Sequence, residues 1–103
     1  MTFFDFHHHN VQKHAGLYNL SAGESPPTGC FSAGIHPHLI LEDTTEQFIW
    51  LKQTVAHQNC LAIGECGLDG LINIEDYIQE EVFQRQIDLA NTINKPLIIH
   101  CVR

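Results

Sequence analysis

Basic residues are scarce. Five Lys plus Arg stand against twelve Asp plus Glu, for a formal charge of −7 with histidines neutral. A chain this acidic has no basic stripe of the kind that supplies non-specific affinity for nucleic acid. If it meets a polyanion, positive charge has to come from elsewhere, and a bound cation is the natural source. Long apolar runs are also missing, so no segment reaches membrane-spanning length. The amino terminus lacks a cationic region followed by an apolar stretch and a cleavage site. These absences make the cytoplasm the default expectation and exclude a membrane partner. The four cysteines, Cys30, Cys60, Cys66 and Cys101, form no C-x-x-C pair and no zinc-ribbon spacing. Two of them sit in apolar runs, which reads as buried free thiols in a reducing compartment.

Histidine, in contrast, is abundant: eight residues, more than Lys and Arg together. With 103 residues and 44% hydrophobic content, the chain can build one domain around one modest core.

Four strand-length apolar runs stand out: "TFFDFH" (2–7), "CFSAGIH" (30–36), "LAIGEC" (61–66) and "PLIIHCV" (96–102). The last two are almost continuously apolar, the pattern of parallel strands covered on both faces. Between the second and third runs, Asp43 and Glu46 have capping-box spacing, and Phe48, Leu51 and Val55 recur at helical period. Between the third and fourth runs, Ile78, Val82, Phe83, Ile87, Ala90 and Ile93 predict a helix over 78–93 that Asn94-Lys95-Pro96 stops. Strand, helix, strand, helix, strand implies βαβ units and a parallel sheet. "AGLYNLSAGESPPTG" has no sustained period, although "LYNL" is short-strand material. The last predicted strand has no crossover helix after it, so apolar surface and backbone groups should be left open there.

Polar residues collect where these strands end. Alternation places Asp5, His7 and His9 on one face of the first strand and His8 on the other. Two imidazoles two residues apart can reach one cation, so the triplet reads better as H-x-H than as a remnant tag. His36, Glu65 and His100 lie near the ends of the other three runs. Each alone is most simply a hydrogen-bonded core or rim residue. A buried carboxylate or imidazole without a partner costs several kcal/mol, and one shared cation would satisfy the whole set. In parallel α/β folds, sites assemble at this end of the sheet. Asp69 is either a cap or turn former, or a carboxylate that orients a ligand histidine. His38 is expected in the loop after Pro37, and His14 and His57 are expected in solvent.

"DFHHHN", "AGIHPH", "AIGECGLD", "QEEVFQRQIDLAN" and "KPLIIHC" occur in an order and at spacings that resemble the N-terminal half of the TatD family of metal-dependent hydrolases. The resemblance covers essentially all of residues 1–103. It implies a partial (β/α)8, TIM-type barrel of α/β class. It also implies a metal-dependent hydrolase, commonly a deoxyribonuclease, that uses Zn²⁺, Mn²⁺ or Mg²⁺, two ions in the complete barrel, with DNA or another phosphoester as substrate.

Residue by residue, His7 and His9 match the first-strand metal pair. Glu65 matches the ligating and often bridging carboxylate, His100 a ligand of the second metal, and His36 the substrate-lining histidine of G-x-H-P. Glu65 and His36 thus become the expected catalytic residues, with Asp5 and Asp69 supporting the ligands from behind. Two departures stand out. The complete barrel is more than twice this long, with further ligands in its second half, and the segment before "FSAGIHPH" is too short for a usual crossover helix. An alternative expectation follows: a half-barrel without catalysis that only binds metal or pairs with another half, and self-associates through open sheet edges.

Overall fold

A computed structural model describes residues 5–8 and 16–102, with side chains described from Leu17 onward. Five strands form one parallel sheet: β1 (Asp5–His8), β2 (Gly16–Leu20), β3 (Phe31–Ala33), β4 (Cys60–Asp69) and β5 (Leu97–Val102). Strand order follows chain order, so β1 and β5 are the edges. Helix α1 (Thr45–Val55) connects β3 to β4, and α2 (Asp76–Ile93) connects β4 to β5. This is the α/β architecture of a partial TIM-type barrel, and "LYNL" belongs to a genuine strand, β2.

The β2–β3 connection departs from the usual βαβ unit. Parallel neighbours normally need a dozen or more residues and a helix to return the chain. Here residues 21–30 make the crossover without a helix. Glu24 organises it: its carboxylate accepts from the Ser21 amide at 2.7 Å and the Tyr18 hydroxyl at 3.1 Å. Its carbonyl accepts from Trp50 Nε1 at 3.1 Å, pinning the loop to α1.

The main core lies between the sheet and the helices. Phe31, Ile35, Leu51 and Ile63 are at its centre, and Phe48 and Val55 extend it along α1. A smaller cluster, Leu17, Ala62 and Ile98, covers the opposite face. The start of α1 differs from the expected capping box. Thr44 is the N-cap and makes no side-chain cap bond, while Asp43, one residue earlier, accepts from the Thr45 amide at 3.0 Å. The C-terminus of α1 is capped from a distance by Lys95, whose ammonium donates to the Val55 carbonyl at 2.5 Å, as the helix dipole favours. α2 ends where expected, with Asn94 in the left-handed region at φ 55°.

The buried face of α2 is rotated from the expected stripe. Val82 and Ala90 are buried, but Ile78, Phe83, Ile87 and Ile93 are only partly so. The positions that point straight inward include two glutamines, Gln79 and Gln86, at 1% and 0% exposure. Apolar periodicity cannot reveal a face whose central residues are amides. Leu51→Ala should therefore cost about 2–5 kcal/mol, the range for a fully buried leucine. Phe83→Ala should cost clearly less than the roughly 3–5 kcal/mol of a fully buried phenylalanine. Urea midpoints of the two variants check the ranking.

The thiols sort by burial. Cys60 and Cys66 are buried, Cys30 is intermediate and Cys101 is exposed, all unpaired. Burial, then the neighbouring Glu65 charge, pushes the Cys66 thiol up to about 12. Cys66 should resist a thiol reagent at mildly alkaline pH until the chain unfolds, while Cys101 reacts at once. The sign follows from linkage. A thiol near its ordinary value of roughly 8.5 in the unfolded chain ionises first, so Cys66 lowers stability as pH rises from there toward about 12. Stopped labelling with mass detection checks the order.

Candidate metal and phosphate site

Parallel pairing brings the carboxyl ends of all five strands to one end of the sheet, and three histidines and two carboxylates gather there. β3 ends at Ala33, and Gly34-Ile35 carry the chain to His36, which opens a single 3₁₀ turn (Pro37–Leu39). Pro37 suits the first position of this turn, where its missing N–H costs nothing. β4 runs three residues beyond the expected end at Cys66, so Glu65 lies mid-strand and Asp69 is its last residue. His100 is on β5, where Gly67 pairs with it in register.

Asp69 is the hub. It is 4% exposed. Its Oδ2 accepts from His38 Nε2 in a short contact and from His100 Nε2 at 3.1 Å, while Oδ1 accepts from the Leu71 amide at 2.9 Å. The His38 bond first, then those from Leu71 and His100, hold the Asp69 carboxyl well below the usual carboxylate range. An ionised carboxylate only accepts hydrogen bonds, so both imidazoles must present N–H to it.

That fixes the chemistry of His100. With its hydrogen on Nε2, the neutral ring keeps a lone pair on Nδ1. This atom lies 3.8 Å from Glu65 Oε2. Two donors that each sit about 2.0–2.2 Å from one ion stand roughly 3–3.6 Å apart in tetrahedral geometry. The pair is close to that spacing, and the donor chemistry, one neutral imidazole and one carboxylate, fits a divalent cation. The carboxylate behind the histidine stands where a carboxylate–histidine–metal arrangement would place the group that fixes a ligand's tautomer.

His36 is built differently. Its Nδ1 accepts from the His38 amide at 3.1 Å, so in the neutral ring the hydrogen is on Nε2. Burial lowers the pKa of the ring, opposed by Glu65 and Asp69 and assisted by the nearby His100 and His38. His36 thus offers an N–H donor. Binding a metal through Nε2 would require a hydrogen on Nδ1 and the loss of the His38 contact. Ring centroids of His36 lie 4.7 Å from His38 and 4.6 Å from His100. Donor atoms of His36, Glu65 and His100, and of His38, Asp69 and His100, form two groups whose members lie within 4.8 Å of one another. A cleft of about 60 Å³ reaches His36 and Glu65 between the ends of β2, β3 and β4, room for a water or two. A larger cavity, about 440 Å³ under Trp50, contains none of these donors.

His36, Glu65, Asp69 and His100 are therefore brought together. β1 carries Asp5, His7 and His8 in its backbone, but their side chains, and all of His9, lie outside the described residues. His38 was expected in a loop and instead touches Asp69. The signal for it was present in H-P-H, since a tight turn at proline returns the second ring to the first. His57 is exposed beyond α1, with its Nδ1 accepting from the Asn59 amide.

Residues 5–103 match the TatD related DNase family. The chain belongs to that family. It is 40% identical over 80 residues to the 3'-5' ssDNA/RNA exonuclease TatD of Pantoea vagans, covering 76% of this chain and 31% of that protein. It is 44% identical over 68 residues to the uncharacterized metal-dependent hydrolase YabD of Bacillus subtilis, covering 65% of this chain and 27% of YabD. Similarity extends to the 3'-5' RNA nuclease TATDN2 of Homo sapiens, 39% identical over 70 residues, or 66% of this chain and 9% of that protein. The matches thus span about a third or less of these curated relatives. Among the described residues, no helix is long and apolar enough to cross a membrane.

Proposed function

We propose that this TatD-family chain carries the metal-binding part of a phosphodiesterase site acting on single-stranded nucleic acid. The observation that supports this best is the Asp69–His100–Glu65 array, in which one carboxylate orients an imidazole whose free nitrogen faces a second carboxylate. Glu65 and His100 would hold the divalent cation, Zn²⁺, Mn²⁺ or Mg²⁺. His7 and His9 would add ligands from β1, with Asp5 behind them. A cation bound there supplies Lewis acidity to a phosphoryl oxygen and makes water a better nucleophile. The protein's own part is to orient and exclude. Asp69 keeps the His100 tautomer, and His38 donates to the same carboxylate oxygen. His36 donates Nε2–H to a non-bridging phosphate oxygen. The acidic net charge would be offset locally by the cation, and relatives named as ssDNA/RNA and RNA nucleases support a polyanionic substrate.

The test is calorimetric titration of the 103-residue chain with Mn²⁺ and Zn²⁺. Asp69→Asn leaves every proposed ligand in place but replaces one acceptor oxygen by a donor. It should weaken binding about 10- to 100-fold, the usual effect of removing a ligand's supporting partner. Equal affinities in the two chains would remove the array from the argument.

A second reading is a half-barrel that binds metal without turning over and pairs with a complementary half. Ile99, 53% exposed on β5, and Cys101, exposed on the same face, would lie on the surface that such a half covers. On this reading, sedimentation velocity gives a concentration-dependent oligomer and metal-loaded chain leaves single-stranded DNA intact. A monodisperse monomer that hydrolyses DNA excludes it.

A further inference from the structure

The two glutamines of α2 are hard to explain as core. A buried amide costs free energy unless every hydrogen-bonding group is used, and methionine would fill similar volumes more cheaply. Both glutamines are fully engaged, in the same way. Gln86 Oε1 accepts from the Ile35 amide at 2.8 Å, and its Nε2 donates to the Ile35 carbonyl at 3.1 Å. Gln79 Oε1 accepts from the Asp69 amide at 2.8 Å, and its Nε2 donates to the Asp69 carbonyl at 3.1 Å and the Ile74 carbonyl at 2.7 Å. A carboxamide has the acceptor and donors of a peptide group. Each side chain therefore pairs with one residue's backbone as a neighbouring strand would, close to where the β-ladder ends. β3 stops at Ala33, two residues before Ile35, and Asp69 is the last residue of β4.

What they grip matters more than how. Ile35 precedes His36, and Asp69 orients His38 and His100. The glutamines are seven residues apart on one helix, two turns on one face, about 10.5 Å along the axis. We propose that Gln79 and Gln86 are positioning residues: through them α2 acts as a rigid spacer that sets where His36 stands relative to Asp69 and the ring of His100. The proposal rests on the reading of these residues as a metal and phosphate site. Such sites tolerate only about 0.5 Å of looseness before function falls.

The experiment uses the full 103-residue chain and its Gln79→Met and Gln86→Met variants. Imidazole ¹H–¹³C spectra are recorded without metal, followed by titration with Co²⁺ monitored by visible absorption. Ile63→Val, a pure core change, is the control. Gln86→Met should shift and broaden the His36 ring signals. Gln79→Met should do so for His38 and His100. His57 should not move in either, and the control should leave all four rings unchanged. Co²⁺ affinity should fall about 10- to 100-fold in each glutamine variant and hold in the control. Folded variants with unmoved ring signals and unchanged Co²⁺ affinity would overturn the proposal. If the methionine variants do not fold, amide hydrogen exchange in the unmodified chain decides: Ile35 and Asp69 amides protected like the Ile63 amide in the middle of the sheet support the grip, and fast exchange at both overturns it. Absence of Co²⁺ binding by the unmodified chain would refute the metal reading, while the ring spectra still decide the positioning role.

Discussion

Glu65→Gln should abolish measurable divalent-cation binding, with a loss of more than about 100-fold, beyond what removing a supporting partner produces. The replacement keeps size and polarity but removes the negative charge from the position 3.8 Å from His100 Nδ1. An amide is a poor ligand beside a carboxylate for a hard or borderline cation. The fold should persist, because Glu65 is only partly buried and the strand around it is held by ladder bonds to β5. Calorimetry with Mn²⁺ and Zn²⁺ measures the first effect and a thermal melt the second. Retained affinity would move the cation away from Glu65, toward the alternative group of His38, Asp69 and His100.

Gly34→Ala should be among the most destabilising single changes in the chain. Gly34 joins β3 to the His36 turn and packs against the backbone of β4. A Cβ there would lie 2.7 Å from Gly64 Cα and 2.8 Å from Gly64 N. Gly64 has φ +150°, and a Cβ on it would in turn collide with the Ile98 carbonyl oxygen and lie 3.0 Å from the Ile98 amide nitrogen. Backbone thus meets backbone from β3 through β4 to β5, with no flexible side chain to yield. Overpacking commonly costs about 1–3 kcal/mol where side chains can shift. Here whole strands must separate, so the upper end of that range or more is expected, out of a total stability of roughly 5–15 kcal/mol. Urea unfolding gives the loss. A midpoint within error of the unmodified chain would show that the β3–β4 contact is looser than described.

The positions of the two α2 glutamines and of Gly34 illustrate how sequence and structure divided the information. Apolar periodicity located both helices, because their outer faces are polar and their ends carry stop signals such as Asn94-Lys95-Pro96. It misplaced the inward face of α2, because a glutamine's burial depends on whether a distant backbone offers it partners. It found β3, β4 and β5, the last two from nearly continuous apolar runs, and was indecisive about β2, whose surroundings read as loop. Only the sheet decides that these five residues, set in sequence without an apolar period, have neighbours on both sides.

The site followed the same rule. His36, Glu65 and His100 were legible because parallel α/β topology sends strand ends to one place and because their motifs resemble a known family. Chemistry-bearing residue types at strand ends are a property of the chain itself. The distinction between ligand, donor and orienting group is not. It depends on which nitrogen of each imidazole is engaged, and for His38 and His100 that is set by contacts across 31 residues, with Asp69. Sequence by itself thus determined the strand–helix order, the family and most of the polar cluster, all consequences of local periodicity and residue identity. Tertiary structure alone decided the place of β2 in the sheet, the inward glutamines and the tautomers of His38 and His100, because each depends on hydrogen-bond partners that come close only after the chain has folded.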